Sequence, residues 1–265
     1  MLAFLRRLAG VAPPSATALA ATALSAAILA ATGLAVPASA VVQGRDDGGL
    51  ARHAVMVLTD RGGFCTGVVL SRTVVMTAAH CVTGANAYRV HFKDGAGQPV
   101  MLEPRGIAVH PGYDAGAVKG RRRSIDLALV RLAEPLPPGF AAAPLSPADR
   151  PGPGARLVVG GYGLAAEGEP TSGGRFRSAE LAVIEPFGPS SILVWLSDPA
   201  TGRTKAGAGA CQGDSGGPVF APDGGVAAVT VWAEGVGKSR CGALTQGLLV
   251  APQRAWIDRV IAGWN

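Results

Sequence analysis

Short apolar runs, broken by glycine and proline at fairly regular intervals, are the feature that most constrains the fold of this chain. These runs occupy residues 53–58, 67–71, 73–79, 88–92, 125–132, 156–163, 179–185, 191–197, 217–221 and 225–232. Such strand-length runs at this spacing predict an all-β sandwich or barrel and argue against alternating βα units. "APDGG" between the last two runs predicts a hairpin turn, because glycine tolerates the positive φ that such turns need.

Two further segments set the organisation of the chain. The Pro-rich stretch 133–154 is the longest of its kind and is the natural boundary between two halves. Near the C-terminus, Pro252 precedes Trp256, Ile257, Val260 and Ile261, which would share one face of a helix over 252–263.

The first 40 residues read as an export signal. They combine Arg6 and Arg7, no acidic residue, an Ala/Leu-rich run ending near Val36 and the small residues Ala38-Ser39-Ala40. Cleavage after Ala40 would leave residues 41–265 as a single secreted domain. The alternative is an uncleaved membrane anchor, since the apolar stretch 17–36 is about long enough to span a bilayer. The paired arginines leave open whether export uses the general or the twin-arginine route.

Charge and cysteine content narrow the partners and the compartment. Cleavage of the signal would remove two of the 24 Lys and Arg residues and none of the 18 Asp and Glu residues, so the remaining chain would be modestly basic. A weak, scattered positive charge favours solubility over nucleic-acid binding, and the one dense cluster, 119–123, is expected to be a solvated loop. Four cysteines allow three disulfide connectivities; the local pairs are the economical choice, and a zinc site is the rival, although no C-x-x-C pair is present.

Three motifs carry candidate chemistry. "MTAAHC" places His80 at the end of an apolar strand, and "SIDLALVRL" places Asp126 among apolar neighbours, where a carboxylate needs a partner. "CQGDSGGPVF" surrounds Ser215 with glycines that permit a tight, exposed turn whose amides point to one spot. Each is weak to moderate alone, because a lone strand-end histidine or a Gly/Ser loop is commonly structural. Together, in the order His, Asp, Ser, the three motifs are a strong signal for a catalytic site.

The motifs "TAAHC", "DLAL" and "GDSGGP" resemble those of the trypsin/chymotrypsin-type serine proteases, here in a bacterial-looking form. "VHPGY", "GGYG" and "AWIDRVI" extend the resemblance over nearly all of residues 41–265. It implies a chymotrypsin-like fold of two packed antiparallel β-barrels, about 41–140 and 150–250, with a C-terminal helix. It also implies the disulfides Cys65–Cys81 and Cys211–Cys241.

The resemblance assigns catalytic roles as well. Ser215 would be the nucleophile, His80 the general base and Asp126 the group that orients the histidine. The amides of Gly213 and Ser215 would form the oxyanion hole. Neither a metal nor a cofactor is expected, and the substrates would be proteins or peptides.

Asp214 and Val41 form a further implied pair. In the family, the carboxylate beside the nucleophile binds the ammonium of a mature chain that starts Ile/Val-Val-x-Gly. Val41-Val42-Gln43-Gly44 matches that start, so signal removal would itself switch the enzyme on.

For specificity, the resemblance points to Gly209 and Ala210 at the pocket floor, Val231, Trp232 and Ala233 as one wall, and Gly247 as the far wall. A pocket without charge, narrowed by Ala233, favours small or medium apolar side chains, while the adjacent Glu234 would attract a basic residue to the rim. Val231 stands where the family usually has a serine that helps hold the triad aspartate, so we expect either lower activity or a substitute donor such as Thr230.

Two other functions remain in view at this stage. A protease-fold binding protein without catalysis usually lacks a triad member, and none is missing here. A membrane-tethered protease would leave Val41 without a free ammonium. A secreted monomer with no stable membrane association is the expected form.

Overall fold

The computed structural model describes residues 41–120, 122–147, 150–185 and 191–264. The predicted signal peptide, 1–40, lies outside the described residues, as does Arg121 of the basic cluster. The strands within these ranges are β1 Arg45–Asp46, β2 Ala54–Thr59, β3 Phe64–Ser71, β4 Val74–Thr77, β5 Tyr88–Lys93, β6 Pro99–Leu102, β7 Pro104–Val109, β8 Ala128–Leu132, β9 Arg156–Gly161, β10 Arg177–Val183, β11 Leu193–Ser197, β12 Pro218–Phe220, β13 Val226–Glu234 and β14 Leu244–Leu249. The helices are α1 Gly48–Ala51, α2 Ala117–Gly120 and α3 Arg254–Ala262.

The first barrel is an antiparallel sheet in the order β6-β5-β2-β3-β4-β8-β7. Its strands are rich in valine, whose branched side chain suits a pleated, buried surface. Val55, Val57, Val69, Val75 and Val90 are almost fully buried inside it. This core fixes the ends of β4 and β8, where two of the candidate catalytic residues lie.

The second barrel has the order β1-β10-β11-β14-β13-β12-β9 and closes because β9 also pairs with β10. Leu157, Leu181, Val194, Ala228 and Leu249 fill its interior. A separate apolar cluster joins the two barrels and includes members from both, together with Ile257 of α3. The predicted fold class, two packed barrels with a C-terminal helix, is confirmed.

Several element boundaries differ from the sequence prediction. Strands β6, β7 and β14 were not anticipated, because Pro99 and Pro104 begin their strands and Gly247 interrupts the apolar pattern of β14. Proline is tolerated at the first residue of a strand, where the missing N–H costs little. The helix begins at Arg254, after a single 3-10 turn over Ala251–Gln253.

The N-terminal segment requires a correction. Residues 41–47 were assigned to the first barrel, yet β1 pairs with β10 of the second barrel, in the register Arg45 to Ser178 and Asp46 to Arg177. The reason is a long-range pairing between two short polar stretches, which neither periodicity nor turn signals reveal. The segment that begins at Val41 is therefore attached to the barrel that carries Ser215.

Both disulfides form as expected, Cys65–Cys81 in the first barrel and Cys211–Cys241 in the second. None of the described helices combines the length and apolar character that a membrane crossing would require.

Candidate active site

His80 and Asp126 meet because they follow and precede neighbouring strands. His80 lies in the 3-10 turn after β4, and Asp126 stands two residues before β8, which pairs with β4. The Nδ1 of His80 is 2.7 Å from Oδ2 of Asp126, and the His80 main-chain N–H donates to Oδ1 at 2.9 Å. A carboxylate at Nδ1 fixes the tautomer with the proton on that nitrogen, which leaves Nε2 as a proton acceptor. The His80 side chain remains 38% exposed, so a substrate can reach it.

Ser215 sits on a turn whose shape depends on two glycines with positive φ. Gly213 has φ of 96° and Gly216 has φ of 81°, values that favour glycine. A Cβ on Gly213 would lie 2.3 Å from the Phe64 ring, and one on Gly216 would lie 2.0 Å from Oγ1 of Thr77. Any side chain at either position would therefore collide with the first barrel as well as strain the turn.

Thr66 of β3, buried beneath this turn, binds it from the first barrel. Its Oγ1 donates to the Gly213 carbonyl at 2.8 Å, and its main-chain N–H donates to the Ser215 carbonyl at 2.8 Å. With both carbonyls turned toward Thr66, the amides of Gly213 and Ser215 find no acceptor within the described part of the chain. Two free amides beside a serine are the kind of donor that can stabilise a negatively charged oxygen.

The turn that carries Ser215 lies close to the segment that carries His80. The Ser215 carbonyl oxygen is 3.7 Å from Sγ of Cys81, the residue after His80. Cys65 and Cys81 cluster with His80, but their sulfurs are bonded to each other and offer no thiolate to a metal. The zinc alternative is therefore wrong for this cluster.

Asp214 points away from Ser215 into the second barrel and is completely buried. Its carboxylate accepts from the amides of Gly163 at 2.8 Å and Cys211 at 2.9 Å, and from the main-chain N–H of Val41. Burial nevertheless raises the pKa of Asp214 to about 7, against the lowering effect of these three donors. Val41 is itself fully buried, so the structure brings the two predicted partners together.

The floor of the candidate specificity pocket is closed by main chain and one hydroxyl. The Gly209 N–H donates to the Val42 carbonyl at 3.2 Å, and a Cβ on Gly209 would lie 3.2 Å from Cα of Gly242. The Ala210 N–H donates to Oγ1 of the buried Thr245 at 2.9 Å. Neither Gly209 nor Ala210 brings a charge to this floor.

The walls follow β13 and β14. Trp232 is 38% exposed, whereas Ala233 is half-buried and stands opposite Thr245. Gly247, the predicted far wall, lies deeper: its Cβ would meet Ala228 at 2.9 Å and Val194 at 3.0 Å inside the barrel. Thr245 is the residue that faces Ala233, and the far-wall assignment moves from Gly247 to Thr245.

Val231 packs against the core of the first barrel and against the apolar cluster that joins the two barrels, and its side chain offers no hydrogen bond to Asp126. Thr230, the suggested substitute donor, is buried, and its hydroxyl has no partner among the described residues. Among the described residues, His80 alone donates hydrogen bonds to the carboxylate of Asp126.

Thr66 and Thr245 are site residues that the sequence did not reveal. Both act through cross-strand and cross-barrel contacts, and a threonine in a strand carries no signal of its own. A hydroxyl directly after a cysteine, as in "CTG" at 65–67, is at most a faint hint.

The comparisons with known proteins agree with this geometry. The family model Trypsin matches residues 41–257. Trypsin zeta of Drosophila melanogaster is 30% identical over 222 residues, which cover 75% of this chain and 74% of that protein. Hypodermin-B of Hypoderma lineatum is 28% identical over 199 residues, 68% of this chain and 72% of its own.

Solved structures show the same fold. Neuropsin, a serine protease expressed in the limbic system of mouse brain, aligns with a TM-score of 0.68 at 21% identity, covering 83% of this chain and all of its own. Human heparin binding protein aligns with a TM-score of 0.67 at 21% identity, covering 84% of this chain and 97% of its own. By its family match, its relatives and its two-barrel architecture, this chain belongs to the trypsin family of serine proteases.

Proposed function

We propose that this protein is a secreted serine endopeptidase that acts through Ser215, His80 and Asp126. The observation that carries the proposal is the bidentate contact of Asp126 with His80, beside a serine turn that presents two free amides. This arrangement contains a nucleophile, an oriented base and a site for developing negative charge, which are the parts that acyl transfer needs.

In the proposed reaction, Ser215 Oγ attacks the peptide carbonyl while Nε2 of His80 takes its proton. His80 then gives that proton to the leaving amine, and water repeats the sequence on the acyl-enzyme. Asp126 holds the imidazole tautomer and stabilises the imidazolium. The amides of Gly213 and Ser215 receive the oxyanion, and one such donor contributes about 3–4 kcal/mol to the transition state.

Activation follows from the buried Asp214. Three neutral N–H donors leave its pKa at about 7, so the carboxylate lacks a counter-ion. Cleavage after Ala40 would turn the Val41 nitrogen, already hydrogen-bonded to Asp214, into an ammonium. The same cut would remove the φ torsion of Val41, which at 51° lies in a region that disfavours a β-branched residue. Export would then switch the enzyme on without a separate zymogen step.

The preferred substrates are peptides with a small side chain before the cut bond. Gly209 brings no charge to the pocket, and Thr245 and Ala233 face each other across it. A large side chain would have to displace the Thr245 hydroxyl from the Ala210 amide, leaving a buried N–H unpaired. We further propose a monomer without cofactor, nucleic acid or stable membrane partners.

A protease-fold binding protein would need neither the His80–Asp126 contact nor the free amides, so these features support the enzyme. The test compares Ser215→Ala with the parent chain on a small-residue peptide ester. We expect turnover to fall at least about a thousandfold, with an unchanged thermal unfolding midpoint. Equal turnover by the two proteins would overturn the mechanism.

A further inference from the structure

The segment that follows Val41 is fastened to the second barrel by a group of polar side chains. Asp46 and Asp47 lie on the N-terminal segment. Arg177 and Ser178 begin β10, and Arg175 lies two residues before that strand. We call these five residues the polar latch.

The central contact of the latch is an ion pair between a buried arginine and an aspartate whose side chain is 49% exposed. The Arg177 side chain is 2% exposed, and its Nε donates to Oδ1 of Asp46 at 2.6 Å. The exposed Arg175 binds the other oxygen of the same carboxylate. Within the described ranges Nη1 of Arg177 has no hydrogen-bond partner, so Asp46 carries its charge compensation. A buried guanidinium without its carboxylate is strongly unfavourable, and the segment is held down by that requirement.

Asp47 adds a second set of contacts, in which its carboxylate accepts hydrogen bonds from neutral donors. Its Oδ2 accepts from the Ser178 hydroxyl at 2.8 Å, and its Oδ1 accepts from the Leu50 N–H at 3.0 Å, which caps α1. The latch thus joins three elements, β1, α1 and β10, through the last two residues of the N-terminal segment.

A short, folded connection links the latch to Val41. The Gly44 N–H donates to the Val41 carbonyl at 2.6 Å, and Val42 bridges to Gly209 at the pocket floor. The four residues 41–44 therefore form a compact turn with little slack. Where Asp46 is held, Val41 is held within reach of Asp214.

We propose that the polar latch sets how firmly Val41 is inserted beside Asp214, with Asp46 and Arg177 as positioning residues for the active conformation. The inference rests on the proposed activation by the Val41 ammonium. In the absence of the latch, the inserted, active form would exchange more readily with a form whose N-terminus is free.

Insertion has a specific pH signature. Asp214 is the carboxylate that faces Val41, while Asp46, Asp47, Arg175 and Arg177 surround the latch and Arg45 shares its strand. Only the protonated amine pairs with Asp214, so activity ends at the alkaline pH where the inserted ammonium deprotonates. A free α-amine has a pKa of about 8. Each tenfold preference for the inserted over the free N-terminus raises the alkaline midpoint of activity by about one pH unit.

The experiment compares Asp46→Asn with the parent enzyme, both verified by mass to start at Val41, by following kcat/KM from neutral to alkaline pH. We expect Asp46→Asn to lower the alkaline midpoint, because the segment that carries Val41 loses its contact with the buried Arg177. Asp258→Asn, which breaks the exposed Arg254–Asp258 pair of α3, is the matched control and should leave the midpoint in place. Val41→Gly, which keeps the amine but loses the buried side chain, should lower it.

The outcomes separate the two proposals. An unchanged midpoint in Asp46→Asn alongside a lowered one in Val41→Gly overturns the latch alone. An unchanged midpoint in Val41→Gly overturns activation by the ammonium. Should Asp46→Asn fail to fold, Arg175→Gln removes only the exposed arm of the latch and must still shift the midpoint downward, by less, for the inference to stand.

Discussion

Replacing Thr66 with valine tests whether the first barrel orients the catalytic turn. Valine has the same shape, but it cannot donate to the Gly213 carbonyl or accept from the Tyr162 N–H, which lies 2.9 Å from Oγ1. Each buried partner left unpaired costs about 1–3 kcal/mol, so the free energy of unfolding should fall by about 2–4 kcal/mol after relaxation. A released Gly213 carbonyl also loosens one of the two free amides. Losing such a donor entirely costs about 10²–10³ in kcat, and misalignment should cost about tenfold to a hundredfold.

Thr66→Ser is the matched control, because it keeps the hydroxyl and removes one methyl group, worth about 1 kcal/mol. The assays are urea unfolding and steady-state kinetics on a small-residue ester. The valine variant should lose kcat with little change in KM, and the serine variant should keep nearly full turnover. Equal kcat and equal stability in the two variants would refute the role of the Thr66 hydroxyl.

Three other predictions address the pocket, the triad and the buried carboxylate. Thr245→Gly should deepen the pocket and raise kcat/KM for large apolar side chains relative to small ones by about 10- to 200-fold, measured with a peptide library; unaltered selectivity would contradict the pocket assignment. Val231→Ser should add a donor near Asp126 and raise kcat, and unchanged turnover would count against that role. In a chain with one extra residue before Val41, the pKa of Asp214 is about 7 when folded and 3.8 when unfolded, so the folded form binds the proton more tightly. The free energy of unfolding should then decrease as pH rises between these values, by up to about 4 kcal/mol in chemical denaturation; a chain that starts at Val41, or one with Asp214→Asn, should lack this slope.

The candidate catalytic residues could be named from the sequence because their signals are local. His80, Asp126 and Ser215 each sit in a short motif at a strand end or in a Gly-rich turn, and the strands themselves follow from apolar periodicity. The cysteine pairing followed the same local logic. Where a residue acts through its immediate neighbours in the chain, the pattern carries the information.

Contacts set by register were beyond the reach of the sequence. The Thr66 hydroxyl binds the carbonyl of Gly213, a residue 147 positions further along the chain. Gly247 and Thr245 are two residues apart on one strand, and only the pairing with β13 shows which of them faces Ala233. The assignment of residues 41–47 to the wrong barrel has the same cause, since β1 finds its partner on β10 through a two-residue pairing.

The most direct test of the account is the mass of the secreted protein after reaction with a serine-directed fluorophosphonate. The account predicts a chain that starts at Val41 and carries one phosphonyl group, mapped to Ser215, with no labelling in His80→Ala. A chain that starts elsewhere yet is labelled at Ser215 would contradict the activation by export. An unlabelled Ser215 in a chain that starts at Val41 would contradict the central claim that this serine is the nucleophile.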